Sequence, residues 1–287
     1  MTLYSELSQS FDGIVSVHVS SDMTGTVRTA RLAAEQIFCL AANCRSIFRG
    51  DVPEDALWLV WFSMWTISLL FAMLAAYAWG SISPTYLAAR WRKGIDLHRY
   101  GSGTVGGMNL GVQLGLPWAV AIGALDWTKG LAPAALARAW GWEWGSAVLL
   151  SLATVLGHNW SLYLDFKGGR GIAVTIGALF AWDWRLALAF LVIIAIGWRI
   201  KQGAPSCMVA LLLLAPAAAM IGCPREIIGG SLGLLLIAII KRVEANRLLL
   251  QPAAREKRIV LLRRLWFDRD IPSDRLWQER GETVEAR

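Results

Sequence analysis

Two segments of the chain combine closely spaced glycines with basic residues, a pattern that suits the binding of phosphate groups. The first, residues 101–109, reads Gly-Ser-Gly-Thr-Val-Gly-Gly-Met-Asn and follows His98 and Arg99. The second, residues 167–171, reads Lys-Gly-Gly-Arg-Gly and leads into an apolar stretch. Glycines let consecutive backbone N–H groups converge on an anion, and the N-terminus of a helix adds the positive end of a dipole. The second segment lacks the spacing of a nucleotide-binding P-loop, so we expect a phosphate site of a different kind.

Charged residues inside apolar runs form a second group of candidates. Asp126 and Lys129 are three residues apart, on one face of a helix, and charges within a membrane span normally face a partner or a polar cavity. His158 also lies in an apolar run, where it is a candidate acid, base or phosphate donor. Each feature alone has a simpler alternative: a linker, a basic turn at the membrane surface, a structural ion pair or a structural histidine. Together they predict a phosphorylated substrate at one face of a membrane.

The elements that must position these residues are strongly apolar. The chain has 287 residues, of which 56% are hydrophobic and 17% are charged, whereas a soluble domain has about 45–50% and about 25%. Apolar runs follow one another from Leu57 onward. The sequence therefore predicts an all-α, polytopic integral membrane bundle of about seven transmembrane helices. The net charge of +7 comes with basic residues beside the apolar runs, which favours membrane lipid as a partner and no nucleic acid.

Seven apolar runs are candidate transmembrane spans. They are Leu57–Trp79, Leu116–Ala137, Gly145–Leu164, Gly171–Trp182, Trp184–Ile200, Pro205–Cys223 and Glu226–Ile240. The fourth is shorter than the roughly 17–25 residues of a perpendicular crossing, so it either begins within the glycine-rich segment or is a half-helix. The residues around Asp183 predict a tight hairpin between the fourth and fifth spans.

The loops that alternate along these spans differ in their content of Lys and Arg. The basic ones are residues 90–99, 167–170 and 199–201, together with the C-terminal tail. All of them fall on one side, which predicts that this side is cytoplasmic, with the N-terminus outside and the C-terminus inside.

The chain divides into three regions by composition. Residues 1–55 form an N-terminal extension, residues 56–242 the seven-helix membrane domain, and residues 243–287 a basic amphipathic cytoplasmic tail. Within the extension, residues 27–48 have the spacing of an amphipathic helix that lies on the membrane surface.

A series of short motifs crosses the membrane domain in a distinctive order. They are Gly80-Ser81-Ile82, Asp96, Gly101-Ser102-Gly103, Asn109, Asp126-x-x-Lys129-Gly130, Gly157-His158 and Phe166-Lys167-Gly168-Gly169-Arg170-Gly171. From about Gly80 to Arg247, the chain thereby resembles the bacterial membrane glycerol-3-phosphate acyltransferases of the PlsY type. The resemblance implies an acyltransferase of phospholipid biosynthesis in the cell (inner) membrane, with acyl phosphate and glycerol 3-phosphate as its substrates.

The resemblance also implies roles for individual residues. Those with a catalytic role would be Ser102, Asn109, Lys129 and His158. Those that bind substrate phosphates would be Gly101, Gly103, Gly106, Arg99, Lys167, Gly168, Gly169, Arg170, Gly171 and Arg242. Acyl phosphate is already an activated donor, so positioning and electrostatics would supply most of the catalysis, and we predict neither a metal ion nor another cofactor.

The chain departs from the family pattern at several positions. Val112 and His98 each stand where the family has Arg, and Ser161 replaces a Pro. The third family motif, His-Arg-x-Asn, appears as Lys241-Arg242-Val243-Glu244, and a Glu beside a bound phosphate would repel it. These changes leave open a catalytically silent relative that acts as a membrane scaffold or as a subunit of a complex with partner membrane proteins. A transporter or flippase for a small anion is disfavoured, because the charged motifs lie on one side of the membrane and not at its midplane.

Overall fold

In the computed structural model the described residues, 54–244 and 257–268, form α-helices and contain no β-strand. The helices are α1 (Glu54–Ser81), α2 (Pro84–Lys93), α3 (Gly107–Leu114), α4 (Leu116–Ala139), α5 (Trp144–Asn159), α6 (Ile172–Trp182), α7 (Trp184–Arg199), α8 (Gly203–Met220), α9 (Arg225–Glu244) and α10 (Lys257–Phe267). The glycine-rich segments fall in the first loop (residues 94–106, between α2 and α3) and the second loop (residues 160–171, between α5 and α6), which contain the 3₁₀ turns Leu97–Arg99 and Leu162–Leu164. The predicted all-α fold is confirmed for these residues.

The seven predicted spans coincide with seven of the helices, α1 and α4 through α9. Among the described residues, three segments are long and apolar enough to cross a membrane: Phe62–Lys93, Trp144–Leu164 and Gly203–Met220. Helix α6, the span predicted to be short, has 11 residues. It begins at Ile172, directly after the glycine-rich segment and not within it, so of the two alternatives the structure fits the half-helix.

Two predicted regions lie wholly or largely outside the described residues. The N-terminal extension, with its amphipathic helix at residues 27–48, is outside them except for Glu54 and Asp55. Of the tail, residues 243–244 and 257–268 are described.

Large apolar side chains cover outward faces of the helices. Phe62 on α1 exposes 68% of its surface, and Met220 at the end of α8 exposes 87%. A soluble protein rarely exposes such residues in extended patches, whereas lipid tails are as apolar as the side chains themselves. The exposed faces therefore support a bundle surrounded by lipid.

Local sequence sets two of the tight turns. Helix α2 begins with Ser83, whose hydroxyl accepts a backbone hydrogen bond from the first turn, followed by Pro84. The helix ends at Gly94, with a φ of 69°, the left-handed conformation that glycine adopts readily. Asp183 alone joins α6 to α7, and its carboxylate accepts a hydrogen bond from the N–H of Arg185 at 2.8 Å. The predicted tight turn at Asp183 is confirmed.

Glycines bring the helices that carry the charged residues into close contact. A Cβ atom at Gly130 of α4 would lie 2.0 Å from the carbonyl oxygen of Val174 on α6, and Gly177 of α6 faces α4 in the same way. A Cβ atom at Gly157 of α5 would lie 2.1 Å from the carbonyl oxygen of Tyr77 on α1. No side chain fits at these distances. The backbone of α4 therefore meets that of α6 directly, and the backbone of α5 meets that of α1. This close packing fixes the positions of the neighbouring residues Lys129 and His158.

The contacts divide the described residues into two compact units. The larger unit comprises residues 72–139, 143–244 and 257–268, and the smaller one contains α1 up to Phe71 and residues 140–142. Every candidate site residue belongs to the larger unit.

Candidate active site

A buried cluster of charged side chains joins α4 to α5. The Nζ atom of Lys129 lies 2.9 Å from Oδ1 of Asp126 and 3.2 Å from Nδ1 of His158. It also donates a hydrogen bond to the carbonyl oxygen of Ile82 at 2.8 Å. None of the three residues exposes more than 6% of its surface. Charges at this depth require such partners. Asp126 and Lys129 lie on one helix face, as their spacing predicts, and they form the ion pair that the sequence left as the simpler alternative, with His158 beside it.

The first loop is held by Asn109 of the following helix and by its own Ser102 and Thr104. The Nδ2 group of Asn109, which is buried in α3, donates to the carbonyl oxygens of Leu97, Tyr100 and Thr104 at 3.3, 3.0 and 2.9 Å. The hydroxyl oxygens of Ser102 and Thr104 lie 2.7 Å apart. The amide nitrogen of Asn109 is therefore used to shape the loop. This geometry favours a positioning role for Asn109 over the catalytic role that the resemblance implied.

The second loop is held by the end of α5. The N–H of Gly168 donates to the carbonyl oxygen of Asn159, and the N–H of Gly169 donates to that of His158, both at 3.1 Å. The expectation that these two N–H groups are free to bind phosphate is therefore wrong, because they satisfy carbonyls at the C-terminus of a helix. A Cβ atom at Gly169 would lie 2.4 Å from Nε2 of His158, so glycine is needed for close approach. Helix α6 starts after Gly171 without a side-chain cap, and the N–H groups at a helix N-terminus can bind an anion.

His98 connects the two loops. Its Nδ1 atom lies 2.9 Å from Oδ1 of Asp96, and its Nε2 atom lies 2.8 Å from the carbonyl oxygen of Lys167. A neutral imidazole carries one N–H, so only the protonated ring donates to both oxygens. Burial raises the pKa of Asp96, but the hydrogen bonds and charge of His98 and the charge of Arg99 outweigh burial, so the pKa lies below its ordinary value. The side chain of Arg99 itself is largely exposed.

A cavity of about 30 Å³ lies beside the second loop. Asn159, Arg170, Lys241 and Arg242 line its polar end, and apolar side chains such as Phe190 line the rest. Asn159 exposes 1% of its surface, and within the described part of the chain neither its amide oxygen nor its amide nitrogen has a hydrogen-bond partner. A buried polar group left in this state costs about 1–3 kcal/mol. Asn159 therefore marks the cavity as a site for a polar ligand.

The divergent third motif is anchored on Trp160. The Nζ atom of Lys241 lies 4.9 Å from the centroid of the Trp160 ring, and the indole N–H donates to Oε2 of Glu244 at 2.5 Å. Arg242 donates to the carbonyl oxygen of Ala204 at 2.9 Å and to two carbonyl oxygens of α10. Because Trp160 binds both the Lys and the Glu, the negative charge of Glu244 is partly offset. The repulsion of phosphate that the sequence predicts is weakened accordingly.

The structure brings some of the predicted site residues together and separates others. Lys129 and His158 share the buried cluster, whereas Ser102 and Arg99 belong to the first loop. The Lys167 side chain is exposed, and its backbone carbonyl is the part that touches the first loop.

Sequence reasoning missed three residues of this region. They are Asn159, Lys241 as a cavity-lining cation, and Asp268. The position of Asn159 directly after His158 was an available signal. Asp268 pairs with Arg170 across 98 residues of sequence, and no local pattern marks it.

Residues 70–251 match the family model of glycerol-3-phosphate acyltransferase, which is more than half of the chain. The chain belongs to the glycerol-3-phosphate acyltransferase family. The membership confirms the resemblance and the expectation of an acyltransferase.

Curated relatives of this acyltransferase match over most of their own length. The chain is 33% identical over 218 residues to glycerol-3-phosphate acyltransferase 4 of Dehalococcoides mccartyi strain CBDB1, which covers 72% of this chain and 91% of that protein. It is 33% identical over 230 residues to glycerol-3-phosphate acyltransferase 5 of Dehalococcoides mccartyi strain ATCC BAA-2266 / KCTC 15142 / 195, covering 75% and 95%.

Solved structures of one family member have the same fold. The integral membrane acyltransferase PlsY (YgiH) in its glycerol 3-phosphate form aligns with a TM-score of 0.57 and 31% identity, over 61% of this chain and 88% of that one. Its lysophosphatidic acid form aligns with a TM-score of 0.55 and 31% identity, over 62% and 89%. The predicted class, an all-α integral membrane bundle, is confirmed for this acyltransferase.

Proposed function

We propose that this acyltransferase moves an acyl chain from acyl phosphate to the 1-hydroxyl of glycerol 3-phosphate. The products are lysophosphatidic acid and inorganic phosphate. The observation that carries the proposal is the buried cluster of Asp126, Lys129 and His158 directly behind the second loop, where Nε2 of His158 would lie 2.4 Å from a Cβ atom at Gly169. The names of the relatives support glycerol 3-phosphate as the acceptor.

The reaction asks for little covalent help from the protein. The hydroxyl oxygen of glycerol 3-phosphate attacks the carbonyl carbon of the acyl phosphate, and a new ester C–O bond forms. The C–O bond to the phosphate breaks, and the hydroxyl proton leaves with the released phosphate. Because the donor is already a mixed anhydride, the main tasks are to hold two phosphate groups that repel each other and to orient the hydroxyl.

The described side chains divide these tasks. Lys129, fixed by Asp126, supplies a positive charge, and His158 is placed to bind a polar group of the substrate. Arg170, the exposed Lys167 and the N-terminus of α6 bind a phosphate group at the second loop. The hydroxyl of Ser102 serves the other phosphate from the first loop.

The same proposal places the protein in the inner membrane with its C-terminus in the cytoplasm. The second loop and the ends of α7 and α9 carry Lys167, Arg170, Arg199 and Arg242, and basic residues at one set of helix ends are typical of the cytoplasmic side. Acyl phosphate would then keep its chain in the membrane while its phosphate reaches the second loop.

Release of inorganic phosphate by the purified, detergent-solubilised protein tests the proposal. Palmitoyl phosphate and glycerol 3-phosphate should both be required. Lys167→Ala should lower the rate at least about tenfold, because an electrostatic donor is lost, while the backbone carbonyl that His98 binds remains. Lys93→Ala removes another exposed lysine, at the end of α2, and should keep the wild-type rate.

Two outcomes would contradict parts of the proposal. Equal rates for Lys167→Ala and wild type would remove Lys167 from the phosphate site. No release above background from well-folded protein would favour the catalytically silent alternative, and the changes at Val112, Lys241 and Glu244 would then be the explanation.

A further inference from the structure

The segment at the end of α10 enters the polar end of the cavity. Asp268, which directly follows α10, forms an ion pair with Arg170 of the second loop. It lines the cavity together with Lys241 and Arg242. The family match ends at residue 251, so this carboxylate comes from a segment outside the matched domain.

The tail is docked by hydrogen bonds in both directions. Nη1 of Arg242 donates to the carbonyl oxygens of Leu265 and Trp266, in the last turn of α10, at 2.8 and 3.4 Å. Nη1 of the buried Arg264 donates in return to the carbonyl oxygen of Val243 on α9 at 3.2 Å. A cation at the C-terminal carbonyls of a helix is a favourable arrangement. Both arginines that line the cavity, Arg170 and Arg242, are therefore engaged by the tail.

With the tail docked, the cavity is too small for a phosphate group. Its 30 Å³ provide room for two or three water molecules at about 10–15 Å³ each, and a phosphate group has five heavy atoms. The buried amide of Asn159 still lacks a partner there. The polar end of the cavity thus has the groups of an anion site, while a carboxylate of the chain pairs with its Arg170.

We propose that α10 and Asp268 form an autoinhibitory cap, in which the carboxylate of Asp268 takes the place of a substrate phosphate at Arg170. A phosphate group has to displace this carboxylate before the site can fill. The inference builds on the proposed phosphate site. Its tests use binding of inorganic phosphate and thiol labelling, so they do not depend on whether the protein catalyses the reaction. If the tail instead had only a structural role, removing the charge of Asp268 would not tighten phosphate binding.

Binding of inorganic phosphate is the first test. The melting temperature of the full-length protein is measured against phosphate concentration, with ionic strength held constant by chloride. Asp268→Asn keeps the shape and removes the charge, and it should lower the apparent Kd for phosphate at least about threefold, the scale of a partly exposed ion pair. Adding Arg170→Gln should abolish this gain. Glu226→Gln, in the first turn of α9, is the matched control and should bind as wild type does.

Labelling of Cys207 is the second test. This buried thiol lines the same cavity, and the experiment uses protein in which Cys39, Cys44 and Cys223 are replaced by Ser. Asp268→Lys repels Arg170, and it should speed the reaction of Cys207 with methyl methanethiosulfonate at least about fivefold, because labelling requires local opening. Glu226→Gln should label at the wild-type rate.

Either of two results overturns the cap. Phosphate that binds Asp268→Asn no more tightly than wild type means that the carboxylate does not occupy an anion site. Equal labelling of Cys207 in wild type and Asp268→Lys means that the tail does not close the cavity.

Discussion

The first and second loops are both rich in glycine and basic residues, yet they are held in opposite ways. The first loop is held through its carbonyl oxygens, three of which accept hydrogen bonds from the amide of Asn109 in α3, and the hydroxyls of Ser102 and Thr104 pair with each other. The second loop is held by its neighbours, through two carbonyl oxygens of α5, the ring of His98 and the carboxylate of Asp268. The first loop is thus fixed by the helix that follows it, and the second loop by the helix that precedes it and by contacts with His98 and Asp268.

The glycines of the two loops serve different purposes. Gly101 and Gly103 adopt φ angles of 52° and 67°, which L-residues with side chains rarely adopt. Gly168 and Gly169 are needed because the loop lies directly against α5. The same residue type thus permits a turn in one loop and a close contact in the other.

The largest expected effect comes from Gly169→Ala. The new Cβ atom would lie 2.4 Å from Nε2 of His158 and 2.7 Å from the carbonyl oxygen of Val105, so the second loop must move away from α5. We expect the free energy of unfolding to fall by about 1–3 kcal/mol and kcat/KM to fall at least about hundredfold, because the reacting groups are misplaced. Thermal melting and phosphate release measure the two effects.

Gly107→Ala, in the first glycine-rich segment, is the control for this change. Its Cβ atom would lie 3.5 Å from the carbonyl oxygen of Ala119, an ordinary contact, and stability should change by less than about 0.5 kcal/mol. Equal losses in the two variants would show that the close approach of Gly169 to α5 is not the cause of the loss, and the comparison would fail.

A smaller effect is expected from Asn109→Ala. The change leaves the carbonyl oxygens of Leu97, Tyr100 and Thr104 without their shared donor, which costs about 1–3 kcal/mol. Amide hydrogen exchange should accelerate in residues 97–104 and much less in residues 167–171, which α5 holds. Equal acceleration in both loops would mean that Asn109 does not support the first loop specifically.

The smallest effect is the pH dependence of the contact between the loops. The pKa of Asp96 is lowered in the folded protein, so its contribution is fully present above the unfolded carboxyl pKa, about 3.9, and is lost as the pH falls through the lower folded value. The melting temperature of Asp96→Asn should therefore lie slightly below that of wild type near neutral pH and converge with it in acid. If the difference between the two melting temperatures persists unchanged below pH ~2, the charge of Asp96 is not the cause of that difference.

Much of the fold was predictable because the membrane imposes it. Helices that cross lipid need long apolar runs. The runs from Leu57 to Ile240 predicted α1, the helices α4 through α9 and the turn at Asp183. The close packing of Gly130 and Gly177 was not predictable, because a glycine in an apolar run carries no sign of the helix that it faces. Helix α10 lies beyond the last span, so the membrane constraint does not apply to its docking.

The site was predictable in its residues and less so in their contacts. The spacing of Asp126 and Lys129 gave their pairing, since it depends on a single helix. The use of Gly168 as a packing residue depends on where its N–H points, which the sequence does not reveal. The pairing of Arg170 with Asp268 depends on a tertiary contact between distant segments, and short-range patterns do not report such contacts.

The docking of α10 has a consequence for how control of this enzyme can evolve. Arg242 binds main-chain carbonyl oxygens, at Leu265 and Trp266, which any two residues would supply. Substitutions at those two positions therefore leave these hydrogen bonds in place as long as the helix forms. The contact with Arg170, by contrast, depends on the side chain of Asp268. Inhibition by the tail can then be strengthened, weakened or lost through changes in α10 and Asp268, while the catalytic domain remains under its own selection.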